Sequence, residues 1–161
     1  MICIDTAILI WGVQGTAHPK QRGMVRRTMR YLQFLATGKE RILVPSPVLA
    51  EYLCGFEVAA QERQRKVIEH RFRVAPFDAE AAGIFGELGS DSKPLNRIRA
   101  EHNLQRQELK FDLQVIAIAI QSGAEKIVTG DAEAFRKMAK GRIPIELVPD
   151  IAEQTKLEFP E

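Results

Sequence analysis

Several common signatures are missing from this 161-residue chain, and each absence closes a route. Two cysteines, Cys3 and Cys54, are too few for a disulfide framework, and their apolar neighbours predict two buried, reduced thiols in a cytoplasmic protein. No apolar run approaches the roughly 20 residues that cross a bilayer, so no membrane span is expected. The opening MICIDTAILIW lacks a basic n-region and a small-residue cleavage site, which argues against a signal peptide. His18, His70 and His102 show no H-x-x-x-H spacing, so a zinc hydrolase is not indicated. No strand is followed by G-x-x-x-x-G-K-[ST] or G-x-G-x-x-G, and no G-x-S-x-G elbow occurs. A haloacid-dehalogenase-type phosphatase wants a second aspartate two residues after the first, and two residues after Asp5 stands Ala7.

What is present reads as an ordinary globular domain: 45% hydrophobic and 27% charged residues in a length suited to one hydrophobic core. The net charge of +2 is small, but its distribution is uneven. Basic residues crowd the stretch from His18 to Arg41 and again from Lys93 to Lys110. A phosphate backbone favours such patches, although solvated helix faces look the same.

Short apolar runs alternate with helical periodicity along the whole chain. Strands are predicted at Met1–Asp5, Arg41–Val44, Arg73–Phe77, Lys126–Thr129 and Pro144–Val148. Gly12–Gly23 should contain a loop, and Met24–Phe34 a helix with arginines on its outer face and Gly38 as its C-terminal glycine. Ser46 and Pro47 mark a helix start, with Ser46 as the capping residue. Further helices are expected over Ala59–His70, from the Asp78 cap to Leu88, weakly over Leu95–Gln107 after a Gly89–Pro94 loop, and over Ala132–Met138. Phe111–Gln121 is the most apolar helix, with Asp112 at its opening. The alternation predicts a single α/β domain over residues 1–161, a mostly parallel central sheet flanked by helices, and a polar tail from about residue 150.

Four acidic residues fall where such a sheet binds ligands, beyond the carboxyl ends of its strands. Asp5 ends the first strand, Glu51 lies in the opening turns of the helix after the second, and Asp112 and Asp131 bracket the fourth. Each alone has a plainer reading: a strand-end turn for Asp5, a solvated helix position for Glu51, a helix-dipole partner for Asp112, a cap for Asp131. Together they repel one another unless a cation sits among them, and an all-oxygen set suits Mg²⁺ or Mn²⁺. Such a site supports metal-assisted phosphodiester hydrolysis, with the hydroxyls of Thr6 and Thr129 placed to orient carboxylates or water. Arg97, Arg99 and Lys110, just before Asp112, are the candidates for holding phosphate.

At these residues the chain resembles the PIN-domain ribonucleases, particularly the VapC-like toxins of bacterial and archaeal toxin–antitoxin pairs. The resemblance rests on ICIDTAILI at 2–10, VPSPVLAEYLCG at 44–55, FDLQVIAIAIQSGAEKIVTGDAEAF at 111–135, and a short strand near 145–148. The third block is the most specific: an aspartate, an apolar helix, then a strand ending in TxDxxF. The resemblance implies a Mg²⁺ or Mn²⁺ site on Asp5, Glu51, Asp112 and Asp131, with Thr129 beside the last, endonucleolytic cleavage of RNA, a homodimer and an antitoxin partner. Two departures stand out. Ala7 replaces the polar residue common after the Asp-Thr pair, and the stretch between Asp5 and Glu51 is long for a small toxin. Loss of polar site groups is also what a non-catalytic RNA-binding or assembly module on the same fold would show.

Overall fold

The computed structural model describes residues 1–151, apart from the side chain of Ser92; the expected polar tail otherwise lies outside the described residues. Five short parallel strands form one sheet: β1 (Ile2–Ile4), β2 (Ile42–Pro45), β3 (Arg73–Ala75), β4 (Lys126–Val128) and β5 (Ile145–Glu146), in the order β3-β2-β1-β4-β5. β1, β2 and β4 are almost continuously apolar because both faces of a parallel sheet are covered. Helices α1 (Thr6–Leu9), α2 (Arg22–Thr37), α3 (Ser46–Cys54), α4 (Val58–Arg71), α5 (Ala79–Gly89), α6 (Ser92–Glu101), α7 (Arg106–Gln121) and α8 (Ala132–Ala139) supply the connections. No helix of the described residues is long and apolar enough to cross a membrane.

The chain runs outward from β1 to β2 and β3, then returns to the other side of β1 as β4 and β5. β1 therefore pairs with both β2 and β4, with Cys3 opposite Leu43 and Ile127. The reversal puts a topological switch point between β1 and β4, the place where loops diverge and a crevice opens at the carboxyl edge. Beneath it lies α7, whose Leu113 and Val115–Ala119 are buried. α7 packs most extensively on α5.

Several local expectations change. α7 begins at Arg106, not near Phe111, because Gln105 and Glu108 form a reciprocal capping box and the residues between are good helix formers. Asp112 thus lies inside the helix, in its second turn, and does not open it. The preceding helix runs over Ser92–Glu101 instead of Leu95–Gln107: Asp91 caps it, accepting the Lys93 N–H, and Pro94 is tolerated in a first turn whose N–H groups have no helical partner. It also has something to bury, namely Leu95 and Ile98.

Ser46 is already helical and caps nothing; its hydroxyl accepts the Phe77 N–H at 3.3 Å, tying the start of α3 to the segment after β3. At the end of α2 the left-handed residue is Lys39 (φ 55°), while Gly38 has φ −74°. Cys3 is buried as expected, but Cys54, in the last turn of α3, is exposed. Between α1 and α2 the chain is only partly loop: a π-helical turn covers Ile10–Gln14 and a 3₁₀ turn Pro19–Gln21.

Candidate metal centre

Asp5 follows β1 directly and caps α1, its Oδ1 accepting the Ile8 N–H at 3.2 Å. Its Oδ2 receives the Thr129 hydroxyl and, at 3.2 Å, the Gly130 N–H, both from the chain just beyond β4. Thr129 in turn accepts the Asp131 N–H at 3.1 Å, and Asp131 caps α8 by taking the Ala134 N–H at 3.2 Å. One continuous set of hydrogen bonds therefore joins the ends of the two strands that flank the switch point. Thr6, the first residue of α1, donates its hydroxyl to Glu51 on α3. Both threonines hold carboxylates, as their positions predict.

Asp5, Glu51, Asp112 and Asp131 all line one cleft of about 760 Å³, together with Thr6 and Thr129. Glu108 lines it as well, a fifth carboxylate whose place follows from the capping box at Gln105. Burial first, then the charges of Asp5, Asp131, Glu51 and Glu108, push the Asp112 carboxyl up to about 8. Burial also raises Asp5, against the opposing effect of the hydrogen bonds it receives from Thr129, Gly130, Ile8 and Ala7. Among the described residues no lysine or arginine lines the cleft, and none forms an ion pair with the four predicted carboxylates. Negative charge is thus concentrated at one point without a lysine or arginine among the described residues to offset it. Nor do any three His, Cys, Asp or Glu side chains among the described residues stand so as to hold one metal ion directly.

Arg97 and Arg99 on α6 and Lys110 on α7 do not reach the cleft lining. The remaining wall is apolar and aromatic: Ala7, Ile10, Trp11, Leu104, Phe111 and Phe135. Ala7 belongs to this wall. A Cβ added at Gly130 would stand 3.2 Å from the Ala7 Cβ and 3.0 Å from Trp11 Cη2, so the indole edge packs against the Gly130 backbone. Ala17, His18, Gln21, Gln107 and Gly130 complete the lining. Sequence patterns did not single these residues out, because His18 and Gln21 reach the cleft through turns between α1 and α2 that the residue pattern reads as loop.

Solved structures share this fold. Among solved structures, a chain of VapBC2 from Rickettsia felis, crystallised bound to a DNA fragment from their promoter, aligns with TM-score 0.60 and 22% identity over 91% of this chain and 98% of that one. A chain of DNA-bound VapBC from Salmonella typhimurium aligns with TM-score 0.58 and 19% identity over 92% and 98% respectively. At such identities the likeness establishes the fold. None of the curated proteins compared matches the chain. The family model of the PIN domain matches residues 2–141, and the chain belongs to the PIN domain family.

Proposed function

We propose that the protein is a Mg²⁺- or Mn²⁺-dependent endoribonuclease acting in the cytoplasm, the toxin of a toxin–antitoxin pair. The observation that carries this reading is the convergence of Asp5, Glu51, Asp112 and Asp131, from four separate segments, on one cleft that contains no lysine or arginine among the described residues. A polyanionic substrate would be repelled from that cleft without a bound cation. The donors suit a hard ion: all are oxygens, and Mg²⁺ commonly keeps several waters and takes only one or two carboxylates directly. Side chains that surround a site without closing tightly on one point are compatible with that habit.

Asp5, Glu51, Asp112 and Asp131 would hold the ion, one or two of them directly and the others through its waters, and when bound it supplies charge for phosphate oxygens and lowers the pKa of a water. The chain's own contribution is orientation. Thr129 and Gly130 fix the direction of Asp5, Thr6 fixes Glu51, and Asp112 is carried by α7, which is anchored by the buried Leu113 and Val115–Ala119. Burial and the neighbouring carboxylates favour the protonated form of Asp112, so metal binding there would be coupled to proton release. An antitoxin partner and a homodimer are part of this proposal; the solved VapBC complexes of the same fold support the first.

Purified protein with Mg²⁺ or Mn²⁺ should cleave single-stranded RNA, and EDTA or Asp5→Asn should abolish cleavage with the fold unchanged by circular dichroism. Full activity in EDTA would reject the reading. Ala7 favours a second one, a catalytically impaired RNA-binding or assembly module, because it puts a methyl group where a polar residue could assist the cluster. Calorimetry separates the two: Mn²⁺ binding at sub-millimolar concentration, lost in Asp112→Asn, supports the enzyme, and its absence supports the module.

A further inference from the structure

Resting on the ribonuclease reading, we propose that the cleft contains a nucleobase subsite in which His18 and Gln21 read the edge of an unpaired RNA base. Both line the same cleft as the carboxylates, and they reach it through the long segment between α1 and α2. A π-helical turn ends at Gly15 (φ 74°), and the chain re-enters at a 3₁₀ turn begun by Pro19. That turn is closed by the Gln21 N–H donating to the His18 carbonyl at 2.7 Å. His18 is the extended residue that opens the turn and Gln21 the residue that ends it, and both line the cleft.

The chemistry of the pair suits a base better than a phosphate. His18 Nδ1 accepts the Lys20 N–H at 3.4 Å, which leaves the proton of the neutral ring on Nε2 as a donor. The Gln21 amide offers both donor and acceptor and has no side-chain partner among the described residues. Lys20 and Arg22, their charged neighbours in sequence, do not line the cleft. Alongside stand Trp11, Phe111 and Phe135, and single-stranded RNA is recognised by bases set against aromatic surfaces and hydrogen-bonded along their edges. The same cleft thus holds carboxylates together with amide, imidazole and aromatic side chains.

Trp11, the chain's single tryptophan, lines the cleft and serves as the reporter. Adenosine, guanosine, cytidine and uridine carry no phosphate, so each can be titrated at millimolar concentration in EDTA while indole emission is followed. One nucleoside should bind about ten-fold more tightly than the rest, the discrimination typical of a well-placed base contact, and His18→Ala and Gln21→Ala should each erase the difference. Both side chains are exposed, and neither replacement should alter the fold. Equal or absent responses to all four nucleosides, or an unchanged ranking in both variants, overturn the subsite. Mapping of cut sites in a random RNA pool with Mn²⁺ supplies the second arm. Base preference at one position should flatten in the variants, while cleavage with no preference in the wild type overturns the proposal. Nucleoside selectivity without any RNA cleavage would instead reject the nuclease reading and leave the base site standing.

Discussion

The Thr129 hydroxyl donates to Oδ2 of Asp5, linking the end of β4 to the end of β1 across the switch point of the sheet. Thr129 is completely buried, so its hydroxyl has no water to turn to if the carboxylate is lost. The same oxygen accepts the Asp131 N–H, so one side chain aligns two of the candidate metal-binding residues.

Thr129→Val keeps the shape and removes the hydroxyl. It leaves the Asp131 N–H and one lone pair of Asp5 short of a partner, at a cost of about 1–3 kcal/mol. Orienting groups behind metal ligands are commonly worth about 10- to 100-fold in metal affinity, and Mn²⁺ affinity by calorimetry should fall within that range. Urea unfolding in EDTA checks the stability. Wild-type values in both measurements would show that the hydroxyl orients nothing.

Asp112 makes the metal-free protein sensitive to pH in a defined direction. Its carboxyl titrates at about 8 in the folded chain, against about 4 when unfolded. Between those values the folded state holds a proton that the unfolded state lacks, so folding stability falls as pH rises and levels off above the folded value. The slope from this group is at most about 1.4 kcal/mol per pH unit. Urea unfolding from pH 5 to 8 in EDTA, wild type against Asp112→Asn, isolates it: the wild type should lose ground steadily relative to the variant. Saturating Mg²⁺ should remove most of the difference in slope. A wild type that gains on the variant as pH rises would contradict the assignment.

Much of this architecture was legible in the residues themselves, and the exceptions share a cause. Strand ends at Asp5 and Thr129 follow from short apolar runs that stop at a polar residue, which is local information. The convergence of Asp5, Glu51, Asp112 and Asp131 followed from right-handed winding of parallel strands. What escaped was set by contacts between distant segments. Ser46 looks like a cap because serine often is one, yet its hydroxyl accepts the N–H of Phe77, 31 residues on. The first turn of α7 was missed because a capping box needs both Gln105 and Glu108 to be read together. Ala7 registered only as a missing polar group; the structure gives it a neighbour, the Trp11–Gly130 contact, that no spacing along the chain reveals.

That contact gives the next expectation. In Gly130→Ala the new methyl would sit 3.0 Å from Trp11 Cη2 and 3.2 Å from the Ala7 Cβ, closer than side-chain carbons normally approach. Trp11 is buried in the core and has little room to yield. Overpacking of this kind costs about 1–3 kcal/mol, and because Gly130 also donates to Asp5, displacement of its N–H should weaken Mn²⁺ binding as well. A shifted emission maximum for Trp11 together with reduced metal affinity is the expected pair of results. Unchanged emission would mean that the indole does not feel position 130.

Glycines elsewhere should behave oppositely according to the space around them. A Cβ at Gly12 would stand 2.5 Å from Leu32 Cδ1 and 2.8 Å from Thr28 Cγ2, and both of those side chains are buried. Gly12→Ala therefore forces α2 away from the π-helical turn and should destabilise the fold by about 1–3 kcal/mol. Gly83 and Gly86 lie in the interior of α5, both exposed, and a Cβ at either would meet nothing within 4 Å. Replacing either by alanine should stabilise the chain by about 0.5–1 kcal/mol through helix propensity and the restricted unfolded state. Because Gly12 holds the turn leading to His18, its substitution should also blunt nucleoside selectivity, which the two α5 replacements should leave intact. Thermal unfolding and the Trp11 titration of the three variants read both effects. Equal stability changes at positions 12 and 86 would show that the α2 contact does not anchor the segment carrying His18.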